Sequence, residues 1–129
     1  MSADLLPLKQ IAVEARKEFE QGSVDKKILE KFYKIYNPMD NVPLFIKRAQ
    51  KLFPKLNCGL ASVYIQRLIS GSKIIEGKYK NNLHTFLMLK DVLIDITADQ
   101  YGGPAVYVGP LQKPWSLREK VRVTTGPSD

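Results

Sequence analysis

A single cysteine and a single histidine stand among 129 residues, and that scarcity excludes a good deal. One cysteine closes no internal disulfide, and one cysteine with one histidine falls short of the usual four-ligand zinc set. Cys58 is therefore either a small buried apolar residue or a reactive thiol. No apolar run approaches the roughly 20 residues that span a membrane, so no membrane partner is expected. The opening residues, Met1-Ser2-Ala3-Asp4-Leu5-Leu6-Pro7, lack the basic and long apolar regions of a secretory signal. The expected location is cytoplasmic, with delivery by a machine that needs no cleavable signal left open. Internal repeats and low-complexity segments are also missing.

What is present is ordinary in bulk. Apolar residues make up 44% and charged residues 26%, which places the chain with globular proteins. Its length suits one domain, residues 1–129, with a modest core. The net charge of +7 favours acidic partners: nucleic acid, an anionic envelope polymer or an acidic protein. The basic residues are spread through helical segments (Lys26, Lys27, Lys31, Lys34, Lys47, Arg48, Lys51, Lys55) instead of massing in a tail. A solvated helix surface and an anionic docking face both fit that pattern.

Periodicity predicts helices first. Leu5, Leu8, Ile11, Ala12, Ala15 and Phe19 recur at three- and four-residue spacing, with Gly22 as a stop. Ser23 is expected to cap a second helix striped by Ile28, Leu29, Phe32, Ile35 and Tyr36, ended by Asn37-Pro38. Asn41 caps a third, with Pro43 in its first turn and Phe45, Ile46, Ala49, Leu52 and Phe53 inward. A fourth starts at Cys58 and ends at Ser70-Gly71. The period then changes. Ser72 to Lys80, Leu83 to Lys90, Val92 to Thr97 and Ala105 to Val108 read as short strands. The class is α+β: a helical cap over residues 1–55, a cysteine helix with a small antiparallel sheet over 56–110, and an irregular tail over 111–129. Trp115, in a Pro-flanked stretch of that tail, suits a partner contact or a pin between tail and core.

Taking Lys90-Asp91 as a two-residue hairpin loop pairs Leu89 with Val92, then Phe86 with Asp95 and His84 with Thr97. His84, Phe86, Met88, Leu93, Asp95 and Thr97 share one face; Leu87, Leu89, Val92, Ile94 and Ile96 share the other. His84 and Asp95 become diagonal neighbours, roughly 7–8 Å apart at Cα. The cysteine helix is expected to cover the His84 face and so bring thiol to imidazole. A helix N-terminus and an imidazolium both favour a thiolate, and first-turn N–H groups suit an oxyanion. Gly59 is expected to leave room for a substrate. A carboxylate between Ile94 and Ile96 needs a buried partner, which is His84, Thr97 or a backbone amide. Asp99 competes for the same role but reads as part of a turn.

Asn57-Cys58-Gly59-Leu60-Ala61-Ser62, Leu83-His84-Thr85-Phe86 and Leu93-Ile94-Asp95-Ile96-Thr97-Ala98-Asp99-Gln100-Tyr101 resemble the minimal core of the papain-like and transglutaminase-like thiol enzymes, which include amidases of the NlpC/P60 type. The resemblance spans residues 56–101. It implies Cys58 as nucleophile, His84 as general base and acid, and Asp95 as the residue that orients it, with no metal and no organic cofactor. The papain-type Gln before the Cys is replaced by Leu52, so its polar role would fall to Asn57 or Gln100. The expected activity is hydrolysis or transfer at an amide bond of a peptide, protein or peptidoglycan, including glutamine deamidation, through a thioester. The other expectation is a non-catalytic basic protein that binds an acidic protein or nucleic acid.

Overall fold

The computed structural model describes residues 5–118. Four helices come first: α1 (Leu5–Gln21), α2 (Lys26–Tyr36), α3 (Val42–Leu52) and α4 (Cys58–Gln66). Five strands follow: β1 (Lys73–Tyr79), β2 (Asn82–Leu89), β3 (Val92–Asp95), β4 (Tyr107–Pro110) and β5 (Trp115–Ser116). A short 3-10 helix, Ala98–Tyr101, lies between β3 and β4. The class is α+β, as the change of period indicates.

Local chemistry explains most boundaries. Asp25, not Ser23, caps α2: its carboxylate accepts from the Lys27 and Ile28 N–H groups. Asn41 caps α3 as expected, accepting from Leu44 N–H ahead of the Pro43 turn. α4 ends at Gln66, short of the expected Ser70, and turns carry the chain to Gly71, whose φ of +85° suits glycine. The second strand begins one residue early and the third stops at Asp95, two residues before Thr97.

The sheet is antiparallel in the order β4-β3-β2-β1-β5. The β2–β3 register is the expected one, with Leu89 opposite Val92, Met88 opposite Leu93 and Leu87 opposite Ile94. The ladder ends there, so Phe86 and Asp95 fall just beyond its last pair. The fourth strand lies at Tyr107–Pro110, later than expected. The tail is not wholly irregular: β5 pairs Trp115 with Tyr79 and Ser116 with Lys78. The part of the expected irregular tail beyond 118 lies outside the described residues.

Two cores occupy the two sheet faces, and they correct one expectation. α4 contributes Leu60, Ala61, Val63, Tyr64 and Ile65 to a large core that includes Leu87, Ile94 and Ile96, the face away from His84. The α1 residues Ala12, Ala15 and Phe19 and the α2 residues Leu29 and Tyr33 complete that core. The His84 face is covered by the sheet itself. It curls so that Tyr107 on one edge strand stacks on Trp115 of the other, with ring centroids 4.2 Å apart. Tyr79, Phe86, Leu93, Ala98 and Trp115 fill the inside of the curl. The apolar side chains of the cysteine helix thus satisfy the opposite face, and only its N-terminal end approaches the histidine. No helix among the described residues is long and apolar enough to cross a membrane.

Candidate active site

Asp95 closes β3 and is buried, with 3% of its surface exposed. An ionised carboxylate in that position needs a full set of donors. It has them. Thr97 donates its N–H to Oδ1 at 2.8 Å, and its hydroxyl lies 3.4 Å from the same oxygen. Trp115 Nε1–H donates to Oδ2 at 2.7 Å. His84 Nε2 meets Oδ2 at 2.7 Å as well. Because the carboxylate accepts, the bonded Nε2 carries the proton, and the tautomer leaves Nδ1 free of it while the ring is neutral.

His84 Nδ1 is buried and has no hydrogen-bond partner of its own. Close to the ring is the thiol of Cys58, the first residue of α4 and partly exposed. No sulfur–nitrogen contact of full hydrogen-bond geometry is formed, yet each group shifts the other's pKa. Burial pushes the Cys58 thiol up, but His84 and the Thr85 backbone outweigh burial and leave it below the ordinary value of 9.0. Burial alone would pull His84 down. The hydrogen bond to Asp95 and the neighbouring thiol reverse this and raise it from 6.5 to about 9. These directions favour the thiolate–imidazolium pair over the neutral one.

The helix start adds to that polarity. Asn57 precedes Cys58 but makes no side-chain cap bond, so no cap occupies the first-turn N–H groups beside the thiol. The Asn57 side chain is fully buried and donates from Nδ2 to the Ala49 and Lys55 carbonyls at 2.9 and 2.7 Å. Both its donor positions are thereby spent on the α3–α4 connection, not on a substrate oxygen. Gly59 lies against α2. A Cβ there would stand 3.4 Å from Tyr33 Cε1 and 3.7 Å from Tyr36 Cε2, ordinary contact distances, so this position faces the two tyrosines of α2. Gln100 sits in the 3-10 helix with its Nε2 buried and unbonded. Asp99 is taken by Arg16, which forms a two-pronged pair at 2.8 Å and also bonds the Ile96 carbonyl.

Three neighbours were not assigned to the site from the sequence. Trp115 is buried to 4% exposure and acts as a donor to the site. Tyr101 meets the His84 ring edge-on with centroids 5.4 Å apart, and its hydroxyl donates to the Leu83 carbonyl. Burial, and then the Cys58 charge, raise its pKa. Thr85 follows His84 and supports the thiolate through its backbone. A lone Trp between prolines was the one visible signal for the first; nothing in residue spacing marked the other two. A surface depression of about 520 Å³ is lined by Lys80, Asn81, Lys113, Pro114, Trp115 and Ser116, and Cys58 is not part of it. No family model, no curated protein and no solved structure matches the chain.

Proposed function

We propose that this protein is a cysteine hydrolase or acyltransferase acting on an amide bond. The observation that carries the reading is the His84 ring: Nε2 is fixed on a fully bonded Asp95, buried Nδ1 has no partner, and the ring lies close enough to Cys58 for each to shift the other. In this scheme the Cys58 thiolate attacks the carbonyl carbon, forming a C–S bond and moving the π pair onto oxygen. First-turn N–H groups of α4 stabilise that oxyanion. The intermediate collapses, the C–N bond breaks, and His84 delivers its proton to the leaving amine. Water, deprotonated by His84, then attacks the thioester, releasing acid and restoring the thiol. An amine in place of water makes the same site a transferase, and ammonia as leaving group makes it a deamidase. Asp95 keeps the ring oriented throughout.

The test is alkylation of Cys58, the one thiol in the chain, by iodoacetamide across pH. The rate should already be high well below pH 8, and His84→Ala should return it to the profile of an ordinary thiol. Identical profiles in the two proteins would remove the reading. A panel of peptide, glutamine and peptidoglycan-fragment amides then assigns the substrate.

A second reading is supported by charge. Lys27, Lys31 and Lys34 of α2, with Glu30 among them, line a depression of about 290 Å³ against Val42 and Pro43 of α3. A non-catalytic protein would use such a groove for an acidic protein or nucleic acid. Affinity for a polyanion that falls steeply with salt, in a chain whose Cys58 is unreactive, would favour it.

A further inference from the structure

Near the site stands a carboxylate that the scheme above does not use. Glu76 of β1 stands directly across the ladder from Thr85, the residue that follows His84 and lies at the thiol. Paired residues share a face with Cβ atoms about 4.5–5.5 Å apart. Tyr36 of α2 donates its hydroxyl to Glu76 Oε2 at 2.8 Å. The ring of that same tyrosine packs against Gly59, the neighbour of Cys58. Burial, and after it Glu76 itself, push the Tyr36 hydroxyl pKa up, so it remains a donor. The carboxylate is thus anchored at one oxygen and open at the other, since the Glu76 side chain is 61% exposed. A guanidinium of the chain already approaches the open side: Arg118 Nη1 lies 3.8 Å from Oε1, longer than a hydrogen bond.

We infer that Glu76, held by Tyr36, is a cation-recognising subsite beside Cys58, and that the amide substrate carries a basic side chain or amine next to the bond under attack. The inference rests on the acyl-transfer reading for its substrate, but the subsite itself can be read without turnover. An anionic side chain facing a cationic substrate on a chain of net charge +7 gives selection by local charge, against the attraction of the molecule as a whole. Arg118 occupies the place loosely and would yield to a better-placed cation.

Methanethiosulfonates test this directly, because each transfers its thioalkyl group to the thiolate to form a disulfide and expels methanesulfinate. The quantity read is the rate for the aminoethyl (cationic) reagent divided by that for the methyl (neutral) reagent. Glu76→Gln should lower this ratio by about three- to tenfold at low salt, the scale of one near-surface charge. Arg118→Gln should raise it. Glu76 is exposed, so its replacement leaves the fold intact. An unchanged ratio in Glu76→Gln overturns the subsite, even if iodoacetamide finds an activated thiol. A charge-dependent ratio on a thiol that His84 does not activate keeps the subsite and removes acyl transfer.

Discussion

Trp115 donates its indole N–H to the same Asp95 oxygen, Oδ2, that His84 Nε2 occupies, both at 2.7 Å. A residue on the last two-residue strand therefore completes the donor shell of a carboxylate at the end of β3. It reaches there because the sheet curls, placing the indole between Tyr79 and Tyr107 at centroid distances of 5.0 and 4.2 Å. The indole also roofs the His84–Asp95 pair, whose side chains are 0% and 1% exposed. Water is kept from a hydrogen bond that orients the histidine.

Trp115→Phe keeps most of that roof and removes only the donor. A buried hydrogen bond to a charged group contributes about 1.5–3 kcal/mol, and a loss of that size is expected in urea unfolding. The alkylation rate of Cys58 near neutral pH should fall as well, since Asp95 holds His84 less firmly. If both stay at wild-type values, Trp115 is packing alone.

The folding class, four helices, and the hairpin register that sets His84 near Asp95 were all legible in the residues. They depend on local signals: helical spacing, Asn41 and Pro43 at a cap, and a two-residue turn at Lys90-Asp91. The long-range parts were not. Which face α4 covers depends on whether β5 and β4 can close over the other one, and a two-residue strand after Pro114 leaves no periodic trace. Asn57 and Gly59 read as site residues because they flank Cys58. Their environment is set by Ala49, Lys55, Tyr33 and Tyr36, which spacing alone does not bring to them.

Gly77 shows how tightly β5 is held. A Cβ at this position would stand 2.6 Å from the Ser116 carbonyl oxygen and 2.8 Å from the Phe86 ring, so no side chain fits without moving backbone. Gly77→Ala is expected to cost about 1–3 kcal/mol and to lift β5 from its edge. The Trp115–Asp95 bond would be lost with it. The variant should therefore lower thiol reactivity as Trp115→Phe does. Reduced stability with unchanged reactivity would mean that Trp115 stays in place when its strand is pushed.

Because His84 is the one imidazole in the chain, its NMR titration is free of overlap. Its midpoint is expected near 9 in the wild type. Asp95→Ala removes the hydrogen bond that most strongly favours the imidazolium while burial, which opposes it, remains. The midpoint should drop, and Cys58 should require higher pH to ionise. A midpoint that stays high would assign the proton to another partner.

Stability against pH provides the last check, and its sign follows from the two shifts. His84 is raised in the fold from 6.5 to about 9, so the native state keeps a proton that the unfolded chain has lost. Its contribution is complete below pH 6.5 and is lost as pH rises through the folded value. Cys58 acts in the other direction. Its folded value is lowered, so its contribution is present above the ordinary 9.0 and is lost as pH falls through the folded value. Cys58→Ser removes the second titration and leaves Asp95 holding His84. In that variant unfolding free energy should decline above pH 6.5, by up to about 1.4 kcal/mol per pH unit. The decline should end below pH 9, since the thiol no longer supports the imidazolium. Adding His84→Gln should flatten the curve over this range. A Cys58→Ser protein already flat there would mean that Asp95 does not hold the histidine proton in the fold.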